Sequence, residues 1–344
     1  MNGLKPSMET ILFNKIFIES DLIDDSITKQ ILERLPKDSE KKVHLIDRYD
    51  EIFGKVKKPY LEKRKNLNLF IAKKKGSLVK EAPAAYGLGK EKHFYFINSY
   101  NCIYECEYCY LQGFFSSPDI VTFINWNEIK EEIIKVANEN HNCWFHAGEF
   151  SDSLALSHIT GELSRFHQLF KDLPHAKLEL RTKSINIKEA LTLTPLDNVI
   201  FSFSISTEES CKEIDLKTPP LKHRLKAIKS LQERGHTVGL HLDPIIWTPD
   251  WSEEHQKLIH QISKEIDLTQ ISYLSLGVVR FTESVYHQFQ KNYPESTIHQ
   301  GEFKRSFDNK VRYPRALRQK MMLFLRDELT KKGVQKKIIY DCME

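Results

Sequence analysis

Cys102, Cys106 and Cys109 fall within eight residues, in the stretch Asn101-Cys102-Ile103-Tyr104-Glu105-Cys106-Glu107-Tyr108-Cys109-Tyr110. Three thiolates at this spacing can each hold one iron of a 4Fe-4S cluster and leave the fourth iron open to a substrate or cofactor, unlike the four-cysteine sites of electron-transfer ferredoxins. The same thiols could instead bind zinc, with a nearby histidine such as His93 or His146 as fourth ligand. Structural zinc sites more often pair two short ligand hooks across a longer loop, and no second hook is present here. The remaining cysteines, Cys143, Cys211 and Cys342, are scattered singly. A disulfide framework is not expected in a chain of this size.

The elements that must position these thiols follow from the hydrophobic pattern. Short apolar runs at residues 93–98, 143–147, 178–182, 199–203, 238–242 and 271–278 read as strands. Between them lie amphipathic stretches at 125–138, 157–170, 221–234 and 251–266, which read as helices. The 221–234 helix is opened by Pro219 and Pro220 and closed by Gly235, the expected asymmetry of helix ends. Alternation of this kind implies a parallel sheet. About six strand-helix units fit between residues 93 and 280, short of the eight that close a barrel. The expected fold is therefore α/β, a partial (β/α)6 barrel with ligands at the carboxyl ends of its strands. Residues 1–92 read as a helical and basic N-terminal segment packed on the barrel, and 281–344 as a C-terminal extension ending in a helix at 315–331.

The chain of 344 residues is 40% hydrophobic and 28% charged, the balance of a soluble globular protein. Residues 1–36 lack the basic start and apolar core of a signal peptide, and no run of eighteen apolar residues exists. A cytoplasmic location without membrane contact is expected. A net charge of +4 is too mild to imply nucleic acid by itself. Its distribution is more informative. Lys55, Lys57, Lys58, Lys63, Arg64, Lys65, Lys73, Lys74, Lys75, Lys80, Lys90 and Lys92 face only Glu62, Glu81 and Glu91. Such a run is either a solvated face or connector, or a surface that tracks phosphates. Tyr60 and Phe70 among the charges lean towards nucleic acid.

The cysteine spacing resembles the cluster motif of the radical S-adenosylmethionine superfamily, and the stretch Cys102 to Gln112, ending Cys109-Tyr110-Leu111-Gln112, resembles the cluster loop of the spore photoproduct lyase family. The similarity extends through Lys63-Arg64-Lys65, Ser151-Asp152, Thr182-Lys183, Phe203-Ser204-Ile205, Pro244-Ile245, Arg280-Phe281-Thr282, Lys291-Asn292-Tyr293-Pro294 and Arg312-Tyr313. The resemblance implies an enzyme of DNA repair, a lyase that reverses a thymine-thymine adduct through a 5'-deoxyadenosyl radical. It makes Cys102, Cys106 and Cys109 the metal ligands, and Ser151, Asp152, Lys183 and Ser204 contacts of S-adenosyl-L-methionine. Lys183 at a strand end can neutralise the cofactor carboxylate, and Asp152 can accept from its ammonium or ribose hydroxyls. Tyr108 and Tyr110 become a hydrogen-transfer relay, and Arg312 and Tyr313 a pair that handles the lesion and adjacent DNA backbone. An electron donor such as a flavodoxin or ferredoxin is implied.

One position departs from the family pattern. Aligning Ala147 and Ser151-Asp152 places Glu149 where the family carries its hydrogen-donor cysteine. A thiol gives up a hydrogen atom readily; a carboxyl group does not. Ala147-Gly148-Glu149-Phe150 instead resembles the Gly-Gly-Glu-Pro element of other radical S-adenosylmethionine enzymes, whose glutamate accepts from the methionine ammonium. The expected function is a radical enzyme acting on a DNA pyrimidine lesion with an altered hydrogen-return step. The alternatives are the same cofactor chemistry on RNA, a protein or a small molecule, or a non-catalytic metal-cluster protein.

Overall fold

In a computed structural model, residues 13–56, 58–83, 89 and 91–342 are described. Six parallel strands lie side by side in chain order: His93–Phe96, Trp144–Ala147, Lys177–Thr182, Val199–Ser204, Thr237–Ile245 and Ile271–Val278. Neighbours in this series pair in parallel register. The fourth strand is buried at every position, as expected for a parallel strand covered on both faces. Val79–Glu81 adds an antiparallel strand at one edge, and Ile339–Asp341 adds a parallel strand at the other. The two edges do not pair, so the barrel stays open.

Helices Trp126–Glu139, Glu162–Lys171, Leu221–Glu233 and Trp251–Glu265 occupy the crossovers. Their apolar faces, for example Ile129 and Ile133 or Leu163, Phe166 and Phe170, join the strands in one large core. The chain leaves Leu221–Glu233 through Gly235, whose φ of 91° suits glycine at a helix C-terminus.

The segment before the barrel carries more strand than the hydrophobic pattern predicts. The helix expected near residue 30 is present as Ser26–Arg34, with the Asp25 side chain accepting from Ile27 N at 2.7 Å. Around it, Val43–Ile46, Ile16–Glu19, Leu69–Ala72 and Ile120–Phe123 form a parallel sheet, with Ser99–Tyr100 added antiparallel. One face packs on Ile31, Leu156 and Ile159, and the other gathers Phe70, Phe123, Tyr100 and Phe150. Both faces therefore grip the loop that follows the second barrel strand.

This sheet also divides the basic run. Phe70 is 1% exposed in the sheet core, so it contacts no nucleic acid. Lys73 pairs with Asp21 at 2.6 Å and Lys92 reaches Asn140 at 2.9 Å. Lys57 and Lys90 lie outside the described residues. Among the described residues no helix is long and apolar enough to cross a membrane.

Candidate functional site

The cysteine loop leaves the carboxyl end of the first barrel strand. Asn101 turns the chain at φ 65°, a left-handed conformation that asparagine tolerates, and its amide donates to the carbonyls of Ser117 and Asp119 at 2.8 and 2.7 Å. Glu105–Cys106 then pairs antiparallel with Asp215–Leu216. The strongest hold comes from Arg64, which the lysine-rich setting disguised. Its side chain is 4% exposed, and its Nη2 donates to the carbonyls of Cys102, Ile103 and Tyr104 at 3.2, 3.2 and 2.6 Å. Its Nε meets Glu105 at 3.1 Å, and Lys217 meets the same carboxylate at 2.7 Å.

Cys102, Cys106 and Cys109 are free thiols that line one pocket with Tyr60, Arg64 and Tyr293. Among the described residues, no three His, Cys, Asp or Glu side chains converge as ligands of a single metal ion. His93 and His146 bond to each other at 2.9 Å inside the barrel, and His146 also bonds Glu179, so neither serves the cysteines as a fourth zinc ligand. A cluster needs one thiolate per iron, and thiols spread around a common pocket fit that requirement. The Tyr104 N–H donates to Cys102 Sγ at 3.4 Å, a contact of the kind that tunes cluster sulfurs. Burial pushes all three thiols up, with Arg64 opposing it at Cys102 and Cys109 and Lys183 opposing it at Cys106 and Cys109.

Lys183, one residue past the third strand, sets its Nζ 5.3 Å from the Tyr108 ring centroid. The Tyr108 hydroxyl donates to Asp215, which is fully buried and 3.3 Å from the equally buried Arg224. Burial works against the Asp215 charge, but Lys183 and Arg224 outweigh it and hold the carboxyl below its usual range. Burial likewise works against the Lys183 charge, and Asp215 and Cys106 outweigh it and raise the ammonium. Neither Asp215 nor Arg224 carried a local sequence signal, because the loop they serve lies over a hundred residues earlier.

The loop after the second strand turns at Gly148, where φ is 81° and a Cβ would lie 2.6 Å from Ser153 Oγ. Any side chain there would collide, so the turn requires glycine. Asp152 takes Leu154 N, Ala155 N and Thr182 Oγ1 on one carboxylate oxygen at 3.0, 2.9 and 2.6 Å. Its other oxygen takes Lys183 N at 2.8 Å. In this structure Asp152 thus ties the second strand's loop to the end of the third, with one oxygen less crowded. Ser151 and Glu149 flank it, and Ser204 lies at the end of the fourth strand, its carbonyl accepting from Arg224 at 3.1 Å. The Tyr110 hydroxyl donates to the main-chain carbonyl of Glu149. Cysteine loop, Glu149, Ser151, Asp152, Lys183 and Ser204 therefore share the carboxyl end of the barrel.

Arg312 and Tyr313 do not present the lesion-handling surface expected of them. Arg312 donates to Ser306 Oγ at 2.9 Å and pairs with Asp308 at 2.7 Å within a small sheet of Arg280–Thr282, Lys310–Arg312 and Lys304–Arg305. Tyr313 is 1% exposed, its ring 4.6 Å from Phe303 and its hydroxyl accepting from Trp247 N at 3.2 Å. A ring so enclosed cannot stack on a base. The tail beyond them packs against the sixth barrel strand: Cys342 N donates to Leu276 O at 2.7 Å, and its buried thiol lies 3.7 Å from Arg280. Cys143, by contrast, sits in the core at the amino end of the second strand.

Set back from the carboxyl ends, a polar plug fills the barrel. Glu179 accepts from His241 Nε2 at 2.7 Å and from Tyr273, with Arg181 at 3.3 Å. Burial opposes its charge, but Arg181 and His146 outweigh it and hold the carboxyl well below its usual range.

A family model described as spore photoproduct lyase matches residues 14–340. The spore photoproduct lyase of Bacillus subtilis (strain 168) is 28% identical over 211 residues, covering 60% of this chain and 62% of that protein. The match thus spans under two thirds of that relative's length. A mutant spore photoproduct lyase with bound AdoMet and dinucleoside spore photoproduct superposes with a TM-score of 0.81 at 19% identity, covering 97% of this chain and 99% of that one. A second mutant, with dinucleoside spore photoproduct, gives 0.83 at 18% identity over the same shares. At these identities the superpositions establish a common fold.

Proposed function

We propose, because this chain belongs to the spore photoproduct lyase family, that it is a radical S-adenosylmethionine enzyme acting on a pyrimidine lesion in DNA. The observation that carries this reading is that the three loop thiols line one pocket, with Lys183 and Asp215 near enough to act on the Cys106 thiol and Tyr108 bonded to Asp215. Cys102, Cys106 and Cys109 would hold a 4Fe-4S cluster, and Lys183, Glu149, Ser151, Ser204 and the less crowded oxygen of Asp152 would receive S-adenosylmethionine. Together, when bound, these groups supply a 5'-deoxyadenosyl radical. The chain itself contributes a cationic Lys183 suited to a carboxylate, a Glu149 suited to an ammonium, and a buried Asp215 that fixes the Tyr108 phenol. Hydrogen return is assigned to Tyr110, whose hydroxyl is held at the main chain of Glu149, the position where the family pattern expects a cysteine, and the tyrosyl radical left behind is restored by an electron and a proton from the external reductant and solvent. The reading places the enzyme in the cytoplasm, supplied with electrons by a flavodoxin or ferredoxin.

The enclosure of Arg312 and Tyr313 favours a second reading, the same cofactor chemistry on another substrate. One experiment addresses both. Anaerobic reconstitution should give about four irons per chain, one cluster, and dithionite should then drive cleavage of S-adenosylmethionine. Zinc in place of iron would sink both readings. Repair of DNA carrying the thymine adduct supports the first, and cofactor cleavage without repair supports the second.

A further inference from the structure

Immediately after the cysteine loop, helix Leu111–Phe114 packs on helix Glu283–Asn292. The approach is close at Gly113, where a Cβ would lie 2.9 Å from Val285 Cα. The short helix is thereby pinned, and it presents Phe114 outward, 59% exposed. Phe114 stacks on Phe150 with centroids 5.0 Å apart and planes 25° apart, while Tyr110, 40% exposed, meets its edge at 6.3 Å. Phe150 rests in turn on Tyr95 and Tyr100 at 5.6 and 5.9 Å, so the stack is backed by the apolar face of the N-terminal sheet. Of the exposed large apolar side chains among the described residues, Tyr110 and Phe114 are the pair in ring contact with each other.

Beside this ledge runs a groove lined by Lys58, Phe115, Gln288, Lys291 and Asn292. Lys63 anchors its wall by donating to Ser116 O at 2.8 Å. Lys58 is partly offset by Glu62 at 3.6 Å, and Lys291 is exposed. An aromatic shelf that tolerates water beside a cationic groove is the pairing that single-stranded nucleic acid binders use. Bases stack on the rings and phosphates follow the charge.

We propose that the Tyr110–Phe114–Phe150 ledge is a stacking platform for an unpaired nucleobase, with Lys58 and Lys291 receiving the flanking phosphates. It rests on the nucleic-acid reading above and supplies the stacking surface that the buried Tyr313 cannot. The platform also borders the carboxyl-end site directly, because Tyr110 belongs to both.

The test is fluorescence anisotropy of the reconstituted chain with labelled oligothymidylate across a salt series. Phe114→Ala should weaken binding about 5- to 150-fold, the range contributed by one base-aromatic stack, and leave the salt slope unchanged. Lys58→Ala with Lys291→Ala should flatten the slope of log K against log salt by about 0.7 per lysine. Phe114→Trp should retain affinity, and its new indole emission should be quenched by the oligonucleotide. Equal iron content in all variants excludes misfolding. If the parent binds and Phe114→Ala binds equally well, or the indole emission does not respond, the platform is overturned while the nucleic-acid reading survives. If the parent binds no oligonucleotide, both are overturned.

Discussion

Replacing Arg64 separates a loop clamp from a surface charge. Its guanidinium satisfies three loop carbonyls and the Glu105 carboxylate from a site 4% exposed. Breaking a buried ion pair costs about 3–5 kcal/mol, chiefly through the charge left behind. Glu105 keeps Lys217 at 2.7 Å, which lowers that figure, while unsatisfied carbonyls add about 1–3 kcal/mol. A net loss of about 3 kcal/mol follows for Arg64→Ala. With an unfolding entropy of about 2.1 cal/mol/K per residue, 344 residues give roughly 0.7 kcal/mol/K, so the melting point drops by only about 4 °C. The loss is local, so the sharper assay is cluster loading: iron content and visible absorption after anaerobic reconstitution. Arg64→Ala should lose most of its iron. Arg64→Lys, a point charge without a planar fork, should load partly and with a shifted reduction potential. Lys63→Ala and Lys65→Ala, in the same run, should load as the parent does. An Arg64→Ala protein with full iron, an unchanged spectrum and an unmoved melting point would refute the clamp.

Burial lowers His93 and His255 to about 4, each keeping its imidazole neutral in the folded state. The unfolded chain, titrating near 6.5, binds the extra protons first. Stability is therefore full above about pH 6.5 and falls as pH drops towards 4, by up to about 2.7 kcal/mol per pH unit for two protons. Urea midpoints at pH 7.5, 5.5 and 4.5 measure this, and a flat profile contradicts it. Tyr313→Ala should cost about 3–5 kcal/mol in urea unfolding, as large buried rings do. Tyr313→Phe should leave DNA affinity untouched; a large affinity loss at unchanged stability would restore the ring to the DNA interface. In deuterated water, product formed through Tyr110 should carry deuterium, and Tyr110→Phe should stall turnover. Stalling by Cys342→Ser instead would transfer hydrogen return to the thiol.

The six barrel strands were legible because short continuous apolar runs alternated with amphipathic stretches of helical period between residues 93 and 280. The cysteine loop was legible because its chemistry is local in sequence. Ile16–Glu19 and Val43–Ile46 were not, being four residues each and paired only through Leu69–Ala72 and one another, far along the chain. Arg64 was hidden by its neighbours: beside Lys63 and Lys65 nothing marks one basic residue as buried. Asp215 and Arg224 had no pattern to betray them, since their partner Tyr108 is reached only by the fold. Arg312 and Tyr313 misled for the opposite reason. Their types suggest contact with DNA, whereas Phe303, Trp247 and Asp308 enclose them.

The cysteine loop is held from three parts of the chain. Arg64 grips its carbonyls from the N-terminal segment, Asp215–Leu216 pairs with Glu105–Cys106 from within the barrel, and the C-terminal segment closes the third side. There Asn292 donates to Gln112 at 2.9 Å and Val285 packs on Gly113. The two tyrosines of the loop find different partners. Tyr108 turns inward, onto a buried carboxylate held negative by Lys183 and Arg224. Tyr110, two residues on, donates to the main-chain carbonyl of Glu149. Burial pushes the Tyr108 phenol up while Asp215 is held below its usual range, so the phenol keeps its proton and donates it in a hydrogen bond. The two tyrosines therefore differ in setting: Tyr108 is fixed on a buried carboxylate, whereas Tyr110 is held at a main-chain carbonyl and is 40% exposed.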